Sequence, residues 1–385
     1  MTTDPVNDLR RRAWLWRGAC LAGASAFATW AGGCSTPDPS PPPASPPAPA
    51  PAPAPSPAGT PRRWRLGFSP NPPRPTVDDV IRGIDLWAPR AELAVIHEDL
   101  PWADLLAGLT PDQIIDRDKA ELVAYLRGKG LGLVFVGDAT DGLDRARDAR
   151  ALRDRGRSLT EPAVQRLYRD YLLAIDRRLK PDIIGLAAET NLVRVAAPAP
   201  LYDALREVAN ASAADLGAAG SSATPMVSIQ VETCWGLLGA TVPYRGIAQD
   251  LVDFPFMRLL GLSSYPYFAY ATPDAIPDDY YRRIVQAAGL PAIVSEGGWP
   301  SRSVGTIVTD PQLQARYLAR QGQLLDSIDA QAWLHLLFAD ADLASLPQPV
   351  PENLPLFASI GLVGADFAAK PALAVWDGFR ARPLG

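Results

Sequence analysis

Two glutamates stand where chemistry is possible. Glu296 lies in Ile293-Val294-Ser295-Glu296-Gly297-Gly298-Trp299-Pro300-Ser301. The apolar run after Leu290-Pro291 reads as a buried strand, and Gly297-Gly298 permits backbone angles that other residues avoid. Glu189 ends a comparable run in Gly185-Leu186-Ala187-Ala188-Glu189-Thr190-Asn191. Taken alone, Glu296 reads equally well as a strand-end carboxylate paired with a neighbouring arginine. Taken together, and brought across from one another, they are the pair that hydrolysis of a glycosidic bond with retention requires. One serves as acid and base and the other as nucleophile, about 5 Å apart.

Whether they meet depends on the elements that carry them. From Arg62 onward strand-like and helix-like runs alternate, and eight such units can be counted, as an α/β fold of the (β/α)8 TIM-barrel type needs. The strands are expected at Trp64–Ser69, Leu93–His97, Gly132–Val136, Ile183–Ala188, Val227–Val231, Leu259–Ser263, the run ending at Glu296, and Trp333–Phe338. The chief helices are expected at 76–87, 116–129, 161–179, 202–216, 278–288, 311–328 and 371–380. Glu189 then closes the fourth strand and Glu296 the seventh, on the barrel face where active sites are built and on roughly opposite sides of its mouth. Alternation refines this. In the fifth strand Ser228, Gln230 and Glu232 share the face expected to line the barrel, and Val227, Ile229 and Val231 the other. In the eighth, Trp333 and His335 are expected to line it, with Leu334, Leu336 and Phe338 outside. Gly185, Ala187 and Glu189 are in phase in the fourth.

Other polar and aromatic residues at these strand ends are candidates to bind substrate. His97-Glu98-Asp99 and Trp102 follow the second strand; the histidine could orient a carboxylate or contact a sugar. Gln230 and Glu232 could bind hydroxyls or form a buried hydrogen-bond network. Trp102, Trp235, Trp299 and Trp333 offer flat faces suited to sugar rings, although a tryptophan is more often core. Asp138 and Asp141 in the third loop read as solvated or salt-bridged. No metal-ligand spacing joins His97 to His335, and there is no phosphate loop, dinucleotide fingerprint or Ser-His-Asp pattern, so neither metal nor cofactor is expected. The net charge of -5, without a basic stripe, points away from nucleic acid.

The first 61 residues read differently. Arg10-Arg11-Arg12 precedes an Ala-, Gly- and Leu-rich stretch, Gly18 to Gly33, too short and too weakly apolar for a membrane span. Residues 1–34 are therefore expected to be an export signal. Arg11-Arg12-Ala13-Trp14-Leu15 resembles a twin-arginine signal, and Ala31-Gly32-Gly33-Cys34 resembles a lipoprotein lipobox, which makes Cys34 the expected lipidation site. About a third of the chain's forty prolines crowd into Pro37 to Pro61, within an expected tether at residues 35–61, and that stretch spans roughly 75 Å at the polyproline rise. Residues 62–385 are expected to form the barrel. Of three cysteines only Cys234 falls in that part, so no internal disulfide can form there, and it reads as a lone buried thiol.

With a glutamate after strand four, another after strand seven and a tyrosine-rich strand six, the chain resembles the clan A glycoside hydrolases. Ser295-Glu296-Gly297-Gly298-Trp299-Pro300-Ser301 is similar to the nucleophile segment of the family 17 β-glucanases. Gly261-Leu262-Ser263-Ser264-Tyr265-Pro266-Tyr267-Phe268 is similar to strand six of the family 53 arabinogalactan endo-β-1,4-galactanases. The resemblance implies that Glu296 is the nucleophile, that Glu189 is the acid/base, and that Tyr265 or Tyr267 hydrogen-bonds the nucleophile. It also implies a β-linked poly- or oligosaccharide as partner. The clan usually carries an asparagine just before the acid/base to bind the sugar 2-hydroxyl; here that residue is Ala188, and Asn191 or another group must replace it if the chemistry is kept. The expected protein is thus an exported, lipid-anchored, monomeric retaining glycoside hydrolase. The alternative is a cell-surface carbohydrate-binding protein on a barrel that has lost catalysis.

Overall fold

The computed structural model describes residues 61–238 and 243–385. The expected export signal, Cys34 and nearly all of the proline-rich tether lie outside the described residues. Eight parallel strands close into a barrel in the order β1 (Arg65–Phe68), β2 (Leu93–Asp99), β3 (Gly132–Asp138), β6 (Ile183–Gly185), β7 (Thr224–Gln230), β8 (Leu259–Ser264), β9 (Ala292–Gly297) and β10 (Ala332–His335), with β10 pairing back onto β1. The expected (β/α)8 architecture is therefore the observed one. The remaining two strands, β4 (Thr140–Asp141) and β5 (Asp144–Asp148), form a hairpin in the loop after β3 that the strand count did not include.

The alternation of side chains divides the core into two layers. Leu93, Val95, Val134, Val136, Ile183, Met226, Leu259, Ile293 and Leu334 fill the barrel with Ala188 and Ala332. Ala94, Ile96, Leu133, Phe135, Ile184, Val227, Ile229 and Leu260 point outward into the larger layer beneath the helices. Ser228 and Gln230 alternate with that outward set and so follow Met226 into the barrel, as expected. The eighth strand is the reverse of the expectation: Leu334 faces inward, and Trp333 packs outward against Trp64 and Trp376. The physical reason is volume, since an interior already filled by branched aliphatic layers has no room for an indole, whereas the space under the C-terminal helix Pro371–Ala381 accepts one.

The helices begin where their capping chemistry stands. Thr76 accepts from the Asp79 amide ahead of Val77–Trp87, Thr110 and Gln113 make a reciprocal capping box ahead of Pro111–Asp118, and Asp310 accepts from two amides ahead of Pro311–Asp326. The single helix expected at 116–129 is two, Pro111–Asp118 and Ala120–Gly128, broken at Lys119. Among the described residues no helix is long and apolar enough to cross a membrane.

Candidate active site

Glu189 reaches the mouth of the barrel through a strained turn. β6 stops at Gly185, and Glu189 takes the left-handed conformation (φ 47°, ψ 45°) as the residue before the helix Thr190–Ala196. A bulky residue there costs about 1–3 kcal/mol and persists only where its surroundings hold it. Here its amide donates to Ser228 Oγ at 3.0 Å, and its carboxylate accepts from Ser263 Oγ at 2.6 Å and from Arg145 Nε at 2.8 Å. Burial raises the Glu189 pKa above the usual carboxylate value; Arg145 opposes this and the charge of Glu296 adds to it.

Glu296 is delivered by an irregularity in β9. The β8–β9 register runs Leu262 to Val294 and then Ser263 to Glu296, so Ser295 is an extra residue and Glu296 is brought level with Ser263, the residue that holds Glu189. Gly297 then takes φ +153°, where an added Cβ would lie 2.4 Å from the Ser264 carbonyl oxygen. This is why glycine follows the glutamate. Gly297→Ala is expected to destabilise the fold by roughly 3–5 kcal/mol through strain and overlap together, read as a lowered denaturant midpoint. A midpoint within experimental error of the parent would show that this turn is not constrained as described.

A chain of alternating charges joins the two carboxylates. Arg145, on the β4–β5 hairpin, pairs through Nε with Glu189 and through Nη1 with Asp138 Oδ2 at 2.5 Å, and Nη1 also reaches Thr140 Oγ1 at 3.1 Å. Asp138 Oδ2 lies 3.6 Å from His97 Nε2, and His97 Nδ1 lies 3.2 Å from Glu296 Oε2. All five side chains are buried. Burial works against a charge on His97, but the Glu296 and Asp138 carboxylates outweigh it and push its pKa up to about 10, so the imidazole is a cation at neutral pH. For Asp138 burial acts upward, and Arg145 and His97 overcome it and hold the acid below its usual range. The His97 contacts are ionic ones without aligned hydrogen bonds, and both Glu296 oxygens likewise lack one. Tyr265 is fully buried, and the nearby Glu296 charge adds to burial in holding its phenol protonated.

Of the residues expected from sequence, His97, Glu189, Tyr265 and Glu296 are brought together, and others are not. Glu98 turns outward, accepting from Tyr171 Oη at 2.8 Å and pairing with Lys119. Trp102 is fully buried and stacks on Tyr168. Tyr267 donates to the Leu356 carbonyl at 3.1 Å and packs its ring on Trp299. Trp299 itself is buried, stacks on Tyr317 and donates to Thr309 Oγ1. Trp333 lies in the outer layer. His335 does too, with Nε2 2.9 Å from the Ile360 carbonyl and burial pulling its pKa down to about 4. The reason is common to these groups: each finds a partner or a packed hydrophobic site behind the strand ends and so is withdrawn from the mouth.

Asn191 is also committed. Its Nδ2 donates to the Gln230 carbonyl at 2.8 Å and to Cys234 Sγ at 3.2 Å, and its Oδ1 accepts from the Gln230 amide at 2.7 Å, which bolts the β6 loop to β7. It has no donor left to replace the group missing at Ala188. Gln230 and Glu232 take the network alternative. Gln230 donates to Glu232, which also accepts from Tyr280 Oη at 2.5 Å, the Tyr265 amide at 3.0 Å and Ser264 Oγ at 3.2 Å. Even so, burial outweighs these donors and raises the Glu232 pKa to about 7. The folded protein then holds a proton that the unfolded chain, with an ordinary value near 4.5, releases. Stability should therefore fall as pH rises between those values, by up to roughly 3 kcal/mol. Glu232→Gln is expected to flatten that segment of the stability–pH curve, measured by urea unfolding from pH 4 to 8; an unchanged slope would refute the assignment.

Two members of the charged chain were not among the expected site residues: Asp138, read only as solvated or salt-bridged and indeed paired with Arg145, and Arg145 itself. Asp138 is in phase with Val134 and Val136, a signal that could have placed it inside the barrel mouth. Arg145 carries no such signal, because only the unforeseen hairpin returns it across 44 residues of sequence to Glu189. Among the described residues no group of His, Cys, Asp and Glu is arranged to hold a metal ion.

No protein-family model matches the chain, and no curated protein matches it in sequence. Solved structures match it in fold. An exo-β-1,4-mannosidase from Opitutaceae bacterium strain TAV5 aligns over 85% of this chain and 62% of its own, with a TM-score of 0.61 and 16% identity. A GH5_18 protein from Streptomyces cattleya, solved with GlcNAc, aligns over 84% of this chain and 80% of its own, with a TM-score of 0.56 and 18% identity. The β-glucuronidase 2 of Bacteroides uniformis aligns over 84% of this chain, at a TM-score of 0.54 and 14% identity, but the match spans only 35% of that protein's length. The chain therefore shares the closed (β/α)8 barrel of these glycoside hydrolases, and at its mouth two strand-end glutamates are joined through Arg145, Asp138 and His97.

Proposed function

We propose that the protein is a glycoside hydrolase that cleaves a β-linked poly- or oligosaccharide with retention. The observation that carries this reading is the convergence of Glu189 and Glu296, from opposite sides of a glycosidase-type barrel, on one buried site with a cationic His97 beside Glu296. In the first step Glu189 gives its proton to the glycosidic oxygen while a Glu296 oxygen bonds to the anomeric carbon and the bond to the leaving group breaks. In the second, Glu189 takes a proton from water, whose oxygen displaces Glu296 from that carbon. Burial and the neighbouring Glu296 charge favour the protonated form that Glu189 needs, and the His97 imidazole lies 3.2 Å from the Glu296 carboxylate that would attack. The kinship with families 17 and 53 rests on the two segments quoted above. The experiment is turnover of a panel of aryl β-glycosides and β-linked polysaccharides, with the anomer of the first product read by NMR. Retained configuration is expected; inversion would dismiss the nucleophile.

A second reading, a carbohydrate-binding protein without turnover, is favoured by one observation. Both carboxylates are buried, Glu189 being held by Arg145 and Ser263, and the loop after β10 covers that side through Asn353 on Leu143 and Leu356 on Tyr267. A sugar can enter only if this cover shifts. Binding of a polysaccharide by the unmodified protein, with no product after prolonged incubation, would establish this reading over the first.

We also propose that the protein works outside the cytoplasm on a lipid anchor at Cys34, supported by the arginine-led apolar stretch and the proline-rich tether that follows. Metabolic labelling with palmitate is expected to mark the parent and not Cys34→Ser. Equal labelling of both would remove the anchor.

A further inference from the structure

Arg145 has one capability that the charged chain does not use. Its Nε is taken by Glu189 and its Nη1 by Asp138 and Thr140, but Nη2 is buried and makes no hydrogen bond. A guanidinium presents its N–H groups in a fixed planar fork, so Nη2 cannot turn away to find a partner while the other two nitrogens are held. Buried donors in native structures are nearly always satisfied, and an orphan on a cation calls for a missing acceptor. The neutral polar side chains nearby are committed elsewhere, Asn191 to Gln230, Gln230 to Glu232 and Thr233, and Ser263 to Glu189, and the Glu296 carboxylate, which acts on Arg145 through its charge, makes no hydrogen bond to it. Ala188, which packs in the barrel interior, offers no polar side chain.

We propose that Arg145 is a substrate-binding residue whose Nη2 donates to the hydroxyl on the sugar carbon next to the anomeric centre. This rests on the hydrolase reading above. The position follows from the chemistry of the ring. Glu189, which Arg145 holds, must reach the glycosidic oxygen on the anomeric carbon, and Glu296 must reach that carbon from its other face. The 2-hydroxyl is the ring hydroxyl nearest to both, and hydrogen bonds to it strengthen as the transition state forms. One arginine then orients the acid/base through Nε and grips the substrate through Nη2, and Asp138 and Thr140 fix the fork.

The test separates this grip from the effect on Glu189. Dinitrophenyl β-mannoside and β-glucoside have a leaving group that needs no proton, so their glycosylation step does not depend on Glu189 as an acid. The unmodified protein, Arg145→Lys and Arg145→Gln are compared for kcat/KM on these substrates. They are also compared for the rate at which 2-deoxy-2-fluoro dinitrophenyl glycosides, which lack the 2-hydroxyl, add covalently to the protein by intact mass. Each variant is expected to lose at least about thirtyfold in kcat/KM on the parent glycosides, with labelling rates within about threefold of the unmodified protein. Should Arg145→Gln fail to fold, Arg145→Lys, which keeps the charge between Asp138 and Glu189, carries the comparison. Equal losses in both assays, or loss in neither, would overturn the assignment and leave the hydrolase reading standing. An unmodified protein that neither turns over nor becomes labelled would overturn that reading and the Arg145 role with it.

Discussion

Glu296→Ala is expected to lose at least about 10⁴-fold in kcat on every substrate the protein cleaves, the scale on which removal of an essential nucleophile acts. The reason is structural as well as chemical. The slipped register of β9 puts the carboxylate level with Ser263, beside His97, and no neighbouring carboxylate can move into its place because Glu189 and Asp138 are both bound to Arg145. A small external anion such as azide should restore part of the rate by occupying the emptied space and attacking the anomeric carbon, giving a glycosyl azide of inverted configuration. Residual activity within tenfold of the parent would mean that the carboxylate is not the nucleophile. The fold itself should survive, because the Glu296 side chain makes no hydrogen bond and its removal leaves His97 still paired with Asp138.

The second large effect belongs to Glu189 and depends on the leaving group. Glu189→Ala should cut turnover of substrates with poor leaving groups, including natural polysaccharide, by about 10²–10⁴-fold, the range that a positioned general acid contributes. For dinitrophenyl glycosides the first step should be far less affected, and the covalent intermediate should accumulate, because the same residue is needed to activate water in the second. Mass spectrometry of the steady-state protein checks this directly. Equal losses for good and poor leaving groups, with no adduct, would deny Glu189 the acid/base role. The alanine variant also leaves Arg145 with an unpaired Nε in a buried site, so a thermal melt belongs beside the kinetics.

Much of this arrangement could be read from the chain alone. The alternation of apolar runs with amphipathic ones dictates eight strand–helix units, and a barrel made of them puts every strand's C-terminal end on one face. That was enough to bring residues 189 and 296 to the same mouth, although 107 positions separate them. Period-two alternation correctly turned Ser228 and Gln230 inward, because their neighbours Val227 and Ile229 are apolar and the helices demand an apolar face.

What the sequence could not decide is which polar groups remain free once the chain has packed. Hydrogen-bond capacity is local and exhaustible, and its use depends on neighbours distant in sequence. Asn191 is spent on Gln230, Glu98 on Tyr171 and Lys119, and Tyr267 on Leu356, so three plausible sugar ligands become structural. Trp333 and His335 failed for a related reason: alternation says that two faces exist, but the volume available on each side says which is which, and only the packed barrel supplies that volume. The hairpin that carries Arg145 is short, polar and without apolar alternation, so nothing in its composition announces a residue at the centre of the site. The two glutamates were determined by the sequence, through periodicity and strand count. The charged chain that joins them, and the Arg145 Nη2 left without a partner beside them, were decided by tertiary structure, because only there do the buried charges of β2, β3 and the hairpin come within bonding distance.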